Sequence, residues 1–468
     1  MSADLTVYAL HALGGSGAAF APVADELAGF RGIRIVTLDL PGFGDEAAAT
    51  GYDVAAMADH VIARIRRDGA ARWALLGHSM GGKMASVVAR RALAGDDPVF
   101  GLAGVVLLAA SPPVPEPMGD DKRAEMIGWA RSGGVDTARA RAFIDDNTAR
   151  PLPPALDAQA VSDLRRAVPD AWAHWFERGS REDVSGLVGV LDVPAVIVSG
   201  AGDADLGADA QPRLHGAVYP RARFVRLPVT GHLVPQERPR EVAAAIAALR
   251  DEIDAHSPAV PEEWARLIAG PTVAPRVRAT LAARAIPDDP DYRPRVLTAA
   301  QLATLRRFAD LVVPQPGSGR IDLAARLDRQ LAAGEGDGWR PASLPPDAVA
   351  ARLALDALAL VGLDAGAVAA LRAGELDIAA SALSPAQLQT WAEDATVDLA
   401  RHWLAHPASL ARTGNDSFAT RGGDGSGLPA RGFTALGAGA RDAWEPAGLG
   451  EVRNTAPAPA SSAGGAAS

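Results

Sequence analysis

The first 255 residues of the chain alternate short apolar runs with longer amphipathic stretches. The apolar runs have the length and composition of strands, and they lie at 5–12, 33–40, 72–78, 102–110, 194–200 and 223–229. Between them, helical periodicity is found over 54–68, 80–95 and 240–254. A near-continuous run such as "GVVLLAA" fits a strand that is covered on both faces. The alternation therefore predicts an α/β fold, with a doubly wound, mostly parallel sheet in residues 1–255.

One section interrupts this alternation. Residues 111–190 are helical, are punctuated by proline, and contain Trp129, Trp172 and Trp175. Because the section lies between two strand runs, we expect a helical insertion that covers the mouth of the sheet as a lid. The three tryptophans are candidates for lining a substrate pocket, and packing within the insertion's own core is the alternative.

The second half of the chain has a different composition. Residues 256–294 are proline-rich and acidic, which is typical of a linker. Residues 295–450 hold helical periodicity and no strand candidates, and they predict an all-α C-terminal domain whose first helix starts at Thr298. Residues 451–468 are of low complexity and predict a disordered tail.

The overall composition excludes several classes of function. The formal net charge is −10 and the basic residues are dispersed, which argues against nucleic acid and membrane surfaces as partners. The absence of cysteine excludes thiolate nucleophiles and Cys-based metal sites. No apolar run reaches the ~18–20 residues that span a bilayer, and the N-terminus does not resemble a signal peptide. We therefore expect a cytoplasmic protein without metal or cofactor.

A nucleophile is predicted in the stretch "LLGHSMGGKMA", which places Ser79 between a strand and a helix. In that context the G-x-S-x-G pattern forms a sharp turn that lifts the serine hydroxyl above the sheet. Asp203 follows the fifth strand run and His232 follows the sixth. We predict that His232 accepts the proton of Ser79 and that Asp203 orients His232. Asp205 is the competing acid, but it lies farther from the strand end.

An oxyanion hole is predicted in the loop "LHALGGSG", which follows the first strand. A glycine-rich loop can direct backbone N–H groups at a developing negative charge. We expect the backbone N–H groups of Leu13 and Met80 to be the donors. His11, in the same loop, is expected to support the shape of the loop rather than to transfer a proton.

Residues 5–250 resemble the α/β-hydrolase family. The resemblance rests on "HALGGSG", "DLPGFGDE", "GHSMGGKMA", "SGAGDADLG" and "GHLVPQERP", the last being similar to the family's catalytic histidine followed by E-x-P. Ala12 stands where family members commonly have glycine. Haloalkane dehalogenases and epoxide hydrolases of this fold use aspartate as the nucleophile, so Ser79 argues against both. Carboxylic esters, lactones, thioesters, carbon–carbon bonds beside a ketone and cofactor-free haloperoxidation remain, and the apolar insertion favours a small or moderately apolar acyl substrate.

Residues 295–447 resemble the small subunit, subunit 3, of gluconate 2-dehydrogenase complexes. The matching text is "LTAAQLATLRRFADLVVPQ", "LAARLDRQLAAG", "HWLAHPASLA" and "LPARGFTALGAGARDAWEP". In that family the small subunit accompanies a flavin-containing sugar or alcohol dehydrogenase. The resemblance implies an accessory domain that binds a flavoprotein oxidoreductase and is not itself a redox centre.

The leading hypothesis is a serine hydrolase of esters, lactones or related acyl substrates, fused to a helical accessory domain. A flavoprotein that oxidises a cyclic sugar would produce a lactone, which such a site could open. A non-catalytic scaffold or maturation partner of the oxidoreductase is the alternative. A third hypothesis is that the fused domain regulates access to the lid and has no outside partner.

Overall fold

The computed structural model describes residues 4–317, 319–335 and 341–419. Within these residues one six-stranded sheet is formed by β1 (Leu5–Leu10), β2 (Ile33–Leu38), β3 (Trp73–His78), β4 (Leu102–Leu108), β5 (Ala195–Gly200) and β6 (Ala222–Leu227). The strand order is β2-β1-β3-β4-β5-β6, and all five pairings are parallel. The six predicted strands are confirmed, and the sheet is parallel throughout the described residues rather than mostly parallel.

Helices connect the strands and cover both faces of the sheet. They are α1 (Ala21–Leu27), α2 (Val54–Asp68), α3 (Met80–Ala94), α4 (Asp120–Arg131), α5 (Thr137–Asn147), α6 (Pro154–Arg166), α7 (Pro169–His174), α8 (Ser185–Val188), α9 (Gln211–His215), α10 (Val234–Glu237) and α11 (Pro239–His256). Alternate side chains of a strand point to opposite faces. On β1, Val7 joins the core under α1 and α11, whereas Tyr8 joins the core under α2 and α3. The sheet is therefore doubly wound, as predicted.

The insertion between β4 and β5 carries α4 to α8 and is attached to α3 by a buried lysine. The Lys83 side chain is fully buried, and its Nζ donates to the carbonyl oxygens of Gly179 at 3.1 Å and Glu182 at 2.8 Å. Burial lowers the pKa of Lys83 to about 8. Since α3 starts directly after Ser79, this lysine joins the insertion to the helix that follows the predicted nucleophile.

Replacing Lys83 with methionine is expected to lower the free energy of unfolding by about 2 kcal/mol, because two carbonyl groups lose their donor. The chain has one other lysine, Lys122, which forms an exposed ion pair with Asp205. Lys122→Met is therefore a matched control and is expected to change stability by less than about 1 kcal/mol. Urea unfolding of both variants measures the difference, and equal losses would contradict the role of Lys83.

Residues 256–294, for which the sequence predicts a linker, contain α12 (Glu262–Ala269) and α13 (Pro275–Ala285). Helix α13 packs on α3, where Gly95 ends that helix with a positive φ of 77°. A Cβ at Gly95 would lie 2.3 Å from the carbonyl oxygen of Pro275. The buried Arg278 donates to the carbonyl oxygens of Gly95 and Ile268. This segment is therefore packed against the sheet-bearing half through both apolar contacts and hydrogen bonds.

The described remainder of the chain is helical and has its own core. It consists of α14 (Ala299–Val312), α15 (Leu323–Ala333), α16 (Asp347–Leu358), α17 (Ala365–Ala373), α18 (Pro385–Leu404) and α19 (Pro407–Thr413). Thr298 and Gln301 form a capping box at the predicted start of α14. Phe308 on α14 and Trp391 on α18 meet in the core with ring centroids 5.5 Å apart.

Two features of the sequence lie outside the described residues: the predicted tail, 451–468, and the end of the predicted C-terminal domain, 420–450. Among the described residues, no helix combines the length and the hydropathy needed to span a bilayer.

Candidate active site

Ser79 occupies a strained turn between β3 and α3. Its backbone angles are φ 50° and ψ −117°, which a residue with a side chain rarely adopts. Three backbone hydrogen bonds hold the turn: Ser79 N–H donates to Leu108, and the Ser79 carbonyl accepts from Gly82 and Ser111. This is the geometry of a nucleophile elbow at the carboxyl end of the sheet.

The glycines around Ser79 are required by close packing. A Cβ at Gly77 would lie 2.6 Å from the carbonyl oxygen of Gly81, and a Cβ at Gly81 would lie 2.3 Å from that of Leu10. A Cβ at Gly82 would lie 2.4 Å from the Cβ of Ala110. The start of α3 therefore contacts both β1 and the loop after β4, which is possible only where α3 lacks side chains.

His232 and Asp203 form a hydrogen-bonded pair. His232 Nδ1 lies 2.7 Å from Asp203 Oδ2, and the backbone N–H groups of Asp205 and Leu206 donate to Asp203 Oδ1. Burial tends to raise the pKa of Asp203, but the positive charge and hydrogen bond of His232 outweigh it, and the pKa is lowered. Asp203 is therefore a carboxylate, so the proton of this hydrogen bond belongs to His232 Nδ1. Asp205 instead pairs with Lys122 at 2.7 Å.

Asp203 in turn affects the protonation of the His232 imidazole. Burial tends to lower its pKa, but the negative charge and the hydrogen bond of Asp203 outweigh burial, and the pKa is raised above 6.5. No hydrogen bond joins the Ser79 hydroxyl to His232 among the described residues. Such bonds are often long in unliganded enzymes and form when substrate binds.

His78 is a site residue that the sequence did not identify. Its Nε2 donates to the carbonyl oxygen of His232 at 2.8 Å, and the two rings lie 5.4 Å apart. Burial lowers the pKa of His78 to about 3, so the ring is neutral. His78 directly precedes Ser79, so this bond brings the His232 loop to the turn of Ser79. The contact spans 154 residues of sequence, and no local pattern indicates it.

Glu237, in the E-x-P segment, also holds the loop of His232 by hydrogen bonds. Glu237 Oε1 accepts from the Gly231 N–H at 2.8 Å, and Glu237 Oε2 accepts from the Ala149 N–H at 2.9 Å. The backbone N–H of His232 donates to the carbonyl oxygen of Asn147 at 2.8 Å. The insertion therefore contributes hydrogen bonds that hold the loop of the histidine.

The loop after β1 is fixed by His11. The buried His11 Nε2 accepts from the Leu40 N–H at 3.0 Å, and its Nδ1 donates to the Ala12 carbonyl oxygen at 2.7 Å. Burial lowers the pKa of His11, so both contacts belong to one neutral tautomer. This arrangement agrees with the expected supporting role of His11. Among the described residues, the backbone N–H groups of Leu13 and Met80 have no hydrogen-bond acceptor.

The tryptophans pack inside the insertion. Trp172 is 1% and Trp175 is 3% exposed, and Trp172 Nε1 donates to the Met126 carbonyl oxygen. The half-buried Trp129 stacks on Trp172, with centroids 6.1 Å apart. Trp172 also lies against Gly14, where a Cβ would be 2.9 Å from its ring. Trp172 therefore joins the insertion's core to the predicted oxyanion loop.

A mainly apolar cavity lies beside this loop. None of the three tryptophans lines it; its walls include Leu13, His78, Phe143, Leu164 and Leu233. Phe143 and Leu164 come from the insertion, and nothing in their local sequence distinguishes them from the insertion's other apolar residues. Only the fold brings them together.

Comparisons with known proteins place the chain in a family. The model of the alpha/beta hydrolase family matches residues 7–245. A pimeloyl-[acyl-carrier protein] methyl ester esterase of Neisseria meningitidis serogroup B is 30% identical over 201 residues, which are 42% of this chain and 72% of that esterase. An esterase from Exiguobacterium antarcticum (20% identity, TM-score 0.47) matches 53% of this chain and 93% of its own. The enol-lactonase from Burkholderia xenovorans LB400 (22% identity, TM-score 0.45) matches 54% of this chain over 93% of its own length. The chain belongs to the alpha/beta hydrolase family and is an α/β-fold hydrolase enzyme.

Proposed function

We propose that the chain is a serine hydrolase of carboxylic esters, lactones or related acyl substrates, with Ser79, His232 and Asp203 as its catalytic triad. The observation that carries the proposal is the 2.7 Å pair of His232 and Asp203, which a hydrogen bond from His78 ties to the turn of Ser79. A histidine whose Nδ1–H is bound by a carboxylate has its Nε2 free to accept a proton.

The reaction follows from these roles. Ser79 Oγ attacks the acyl carbon while its proton passes to His232 Nε2, and the N–H groups of Leu13 and Met80 stabilise the oxyanion. His232 then gives its proton to the leaving alkoxide, and the alcohol departs from an acyl-enzyme. A water molecule then gives a proton to His232 Nε2 and attacks the acyl carbon. The bond between this carbon and Ser79 Oγ breaks, Ser79 Oγ takes the proton from His232, and the carboxylic acid is released.

Two observations support an ester with an apolar acyl group. The curated relative from Neisseria meningitidis is by its name a methyl ester esterase. The cavity beside Leu13 has mainly apolar walls and a volume of about 40 Å³, which suits a short apolar acyl group better than a charged or bulky one. A screen of p-nitrophenyl esters of increasing chain length, alongside lactones and thioesters, ranks these classes.

Covalent labelling tests the proposal directly. A fluorophosphonate probe is expected to label the full-length chain once, and mass spectrometry is expected to locate the adduct on Ser79. Ser86, on α3, is an internal control, since its hydroxyl is buried and hydrogen-bonded to that of Tyr219 at 2.9 Å. A chain that stays unlabelled would favour the scaffold alternative.

The pH dependence of the rate is expected to follow the protonation state of His232. The base must be neutral, so kcat/KM should fall as the pH drops through the pKa of His232. Asp203 raises that pKa, which places the inflection above 6.5. A pH–rate profile measured with a p-nitrophenyl ester locates it. An inflection near the pKa of a free carboxyl group would contradict the assignment of His232 as base.

We further propose that the helical second half is an accessory domain that binds a flavin-dependent sugar or alcohol oxidoreductase. This proposal rests on the resemblance of residues 295–447 alone. The lactone produced by such a partner is then one substrate to test at Ser79. Purification from the native host tests the partner: co-elution of a protein with flavin absorbance supports it, and elution of the chain by itself contradicts it. Failure to open aldonolactones faster than buffer would remove the lactone hypothesis.

A further inference from the structure

A cleft of about 1000 Å³ lies between the sheet-bearing half and the helical half of the chain. Its walls come from the end of α3, the segments that precede β5 and β6, and helices α13, α15 and α18. The sheet is parallel, and Ser79, Asp203 and His232 all follow the carboxyl ends of strands. The cleft therefore opens at the opposite edge of the sheet from the candidate active site.

The cleft is positively charged although the chain is not. Seven arginines and four acidic residues are among its walls, whereas the whole chain carries a net charge of −10. We call it the arginine cleft after Arg90, Arg284, Arg295, Arg326 and Arg329. Like charges that are gathered in one concave site repel one another, so the arrangement favours a bound anion.

Acidic residues compensate part of this charge: Arg221 lies within 4.0 Å of Asp192, Glu252 and Asp289, and Arg401 pairs with Asp398 at 3.3 Å. The buried Asp288 pairs with Arg326 at 3.0 Å and with Arg329 at 3.4 Å, so two guanidinium groups share one carboxylate.

Three arginines of the cleft have no carboxylate partner among the described residues. Arg90 donates to backbone carbonyl oxygens, including that of Val188, which carry no net charge. Among the described residues, the guanidinium groups of Arg284 and Arg295 make neither a hydrogen bond nor an ion pair.

His402, on α18, lies in the wall of the cleft among these charges. Burial and then the positive charges of Arg326, Arg284 and Arg329 lower the pKa of His402 to about 4. Its Nε2 is buried and has no hydrogen-bond partner among the described residues. The positive charges of three guanidinium groups in the cleft wall therefore act on one neutral imidazole. An anion in the cleft would offset the mutual repulsion of these guanidinium groups.

We propose that the arginine cleft binds a ligand that carries a diphosphate or triphosphate group. The planar guanidinium group matches the oxygens of phosphate in a two-pronged geometry, and two such groups are unengaged here. The excess of cations and the volume of the cleft suit several phosphate groups better than a single carboxylate. The site is remote from Ser79, so its ligand is an effector or a second ligand rather than the acyl substrate.

Calorimetric titration of the full-length protein tests this proposal, with sodium pyrophosphate and ADP as probes at constant ionic strength. Saturable binding of either probe is expected, and the double variant Arg284→Gln/Arg295→Gln is expected to bind it about 100-fold more weakly, since each lost charged hydrogen bond costs about tenfold. Binding of both probes with equal affinity indicates recognition of the phosphates alone. Tighter binding of ADP indicates that the nucleoside contributes.

The control is Arg66→Gln, which removes one charge from the exposed face of α2, away from the cleft. It is expected to bind like the wild type. Circular dichroism confirms that the double variant is folded, since its two side chains hold no partner in the described structure. Absence of saturable binding to the wild type would overturn the proposal, as would equal affinity of the double variant and the control. Competitive inhibition of ester hydrolysis by pyrophosphate would also overturn it, because the two sites lie at opposite edges of the sheet.

Discussion

Replacing Ser79 with alanine is expected to lower kcat for p-nitrophenyl ester hydrolysis by about 10⁵-fold or more, as the loss of a triad serine does elsewhere. The variant keeps the backbone of the turn, so the oxyanion donors and the cavity stay in place, but no atom attacks the acyl carbon. The rate is measured by release of p-nitrophenol against a buffer blank. Thermal unfolding of the variant shows whether the fold is intact.

Ser86→Ala is the matched control, because it also removes a buried hydroxyl and lies on α3, the helix that follows Ser79. It breaks a hydrogen bond to Tyr219 and one to the Gly82 carbonyl oxygen. We expect a small loss of stability and a kcat within a few-fold of the wild type. Retention of more than a few per cent of activity in Ser79→Ala would contradict the proposed nucleophile.

Asp203→Asn is expected to lower kcat by about 10⁴-fold while leaving the fold intact. Asparagine at this position can donate to His232 Nδ1, which favours the tautomer with its proton on Nε2. That tautomer cannot accept the proton of Ser79. The loss of the carboxylate also removes what raises the pKa of His232, so the inflection of the pH–rate profile is expected to move to lower pH.

Asp205→Asn provides the comparison that separates the two candidate acids. Asp205 is exposed and pairs with Lys122, while Asp203 holds His232 and accepts two backbone N–H groups. We expect kcat of Asp205→Asn to stay within about twofold of the wild type, as for most surface substitutions. If this variant lost activity as severely as Asp203→Asn, Asp205 would be the acid of the triad.

The parts of the site that the sequence predicts are those encoded by short segments. Ser79 is flanked by glycines within a few residues, and the strain of its turn can be anticipated from them. Asp203 and His232 could be anticipated because parallel strands bring their carboxyl ends to one edge of the sheet. In each case a local pattern and one topological rule are enough.

The parts that the sequence does not predict depend on contacts between distant segments. His78 reaches the carbonyl oxygen of His232, and Trp172 reaches Gly14, through side-chain packing that no spacing encodes. The proline-rich text of residues 256–294 predicts a linker, yet the structure has helices there. Pro275 is the first residue of α13, and proline is favoured at that position as well as in linkers. Proline alone therefore does not distinguish a linker from the start of a helix.

The packing of α13 on α3 determines where this chain can be divided. A polypeptide that ended at residue 255 would lose Leu281 and Ile268 from the apolar cluster that contains Phe100. It would also leave the Gly95 carbonyl oxygen without the guanidinium group of Arg278. Helix α3 begins directly after Ser79, so the loss at Gly95 would lie at the far end of that helix. Ile286 also belongs to the apolar core that contains α3, so the smallest fragment that keeps these contacts ends after Ile286, beyond the boundary that sequence composition indicates.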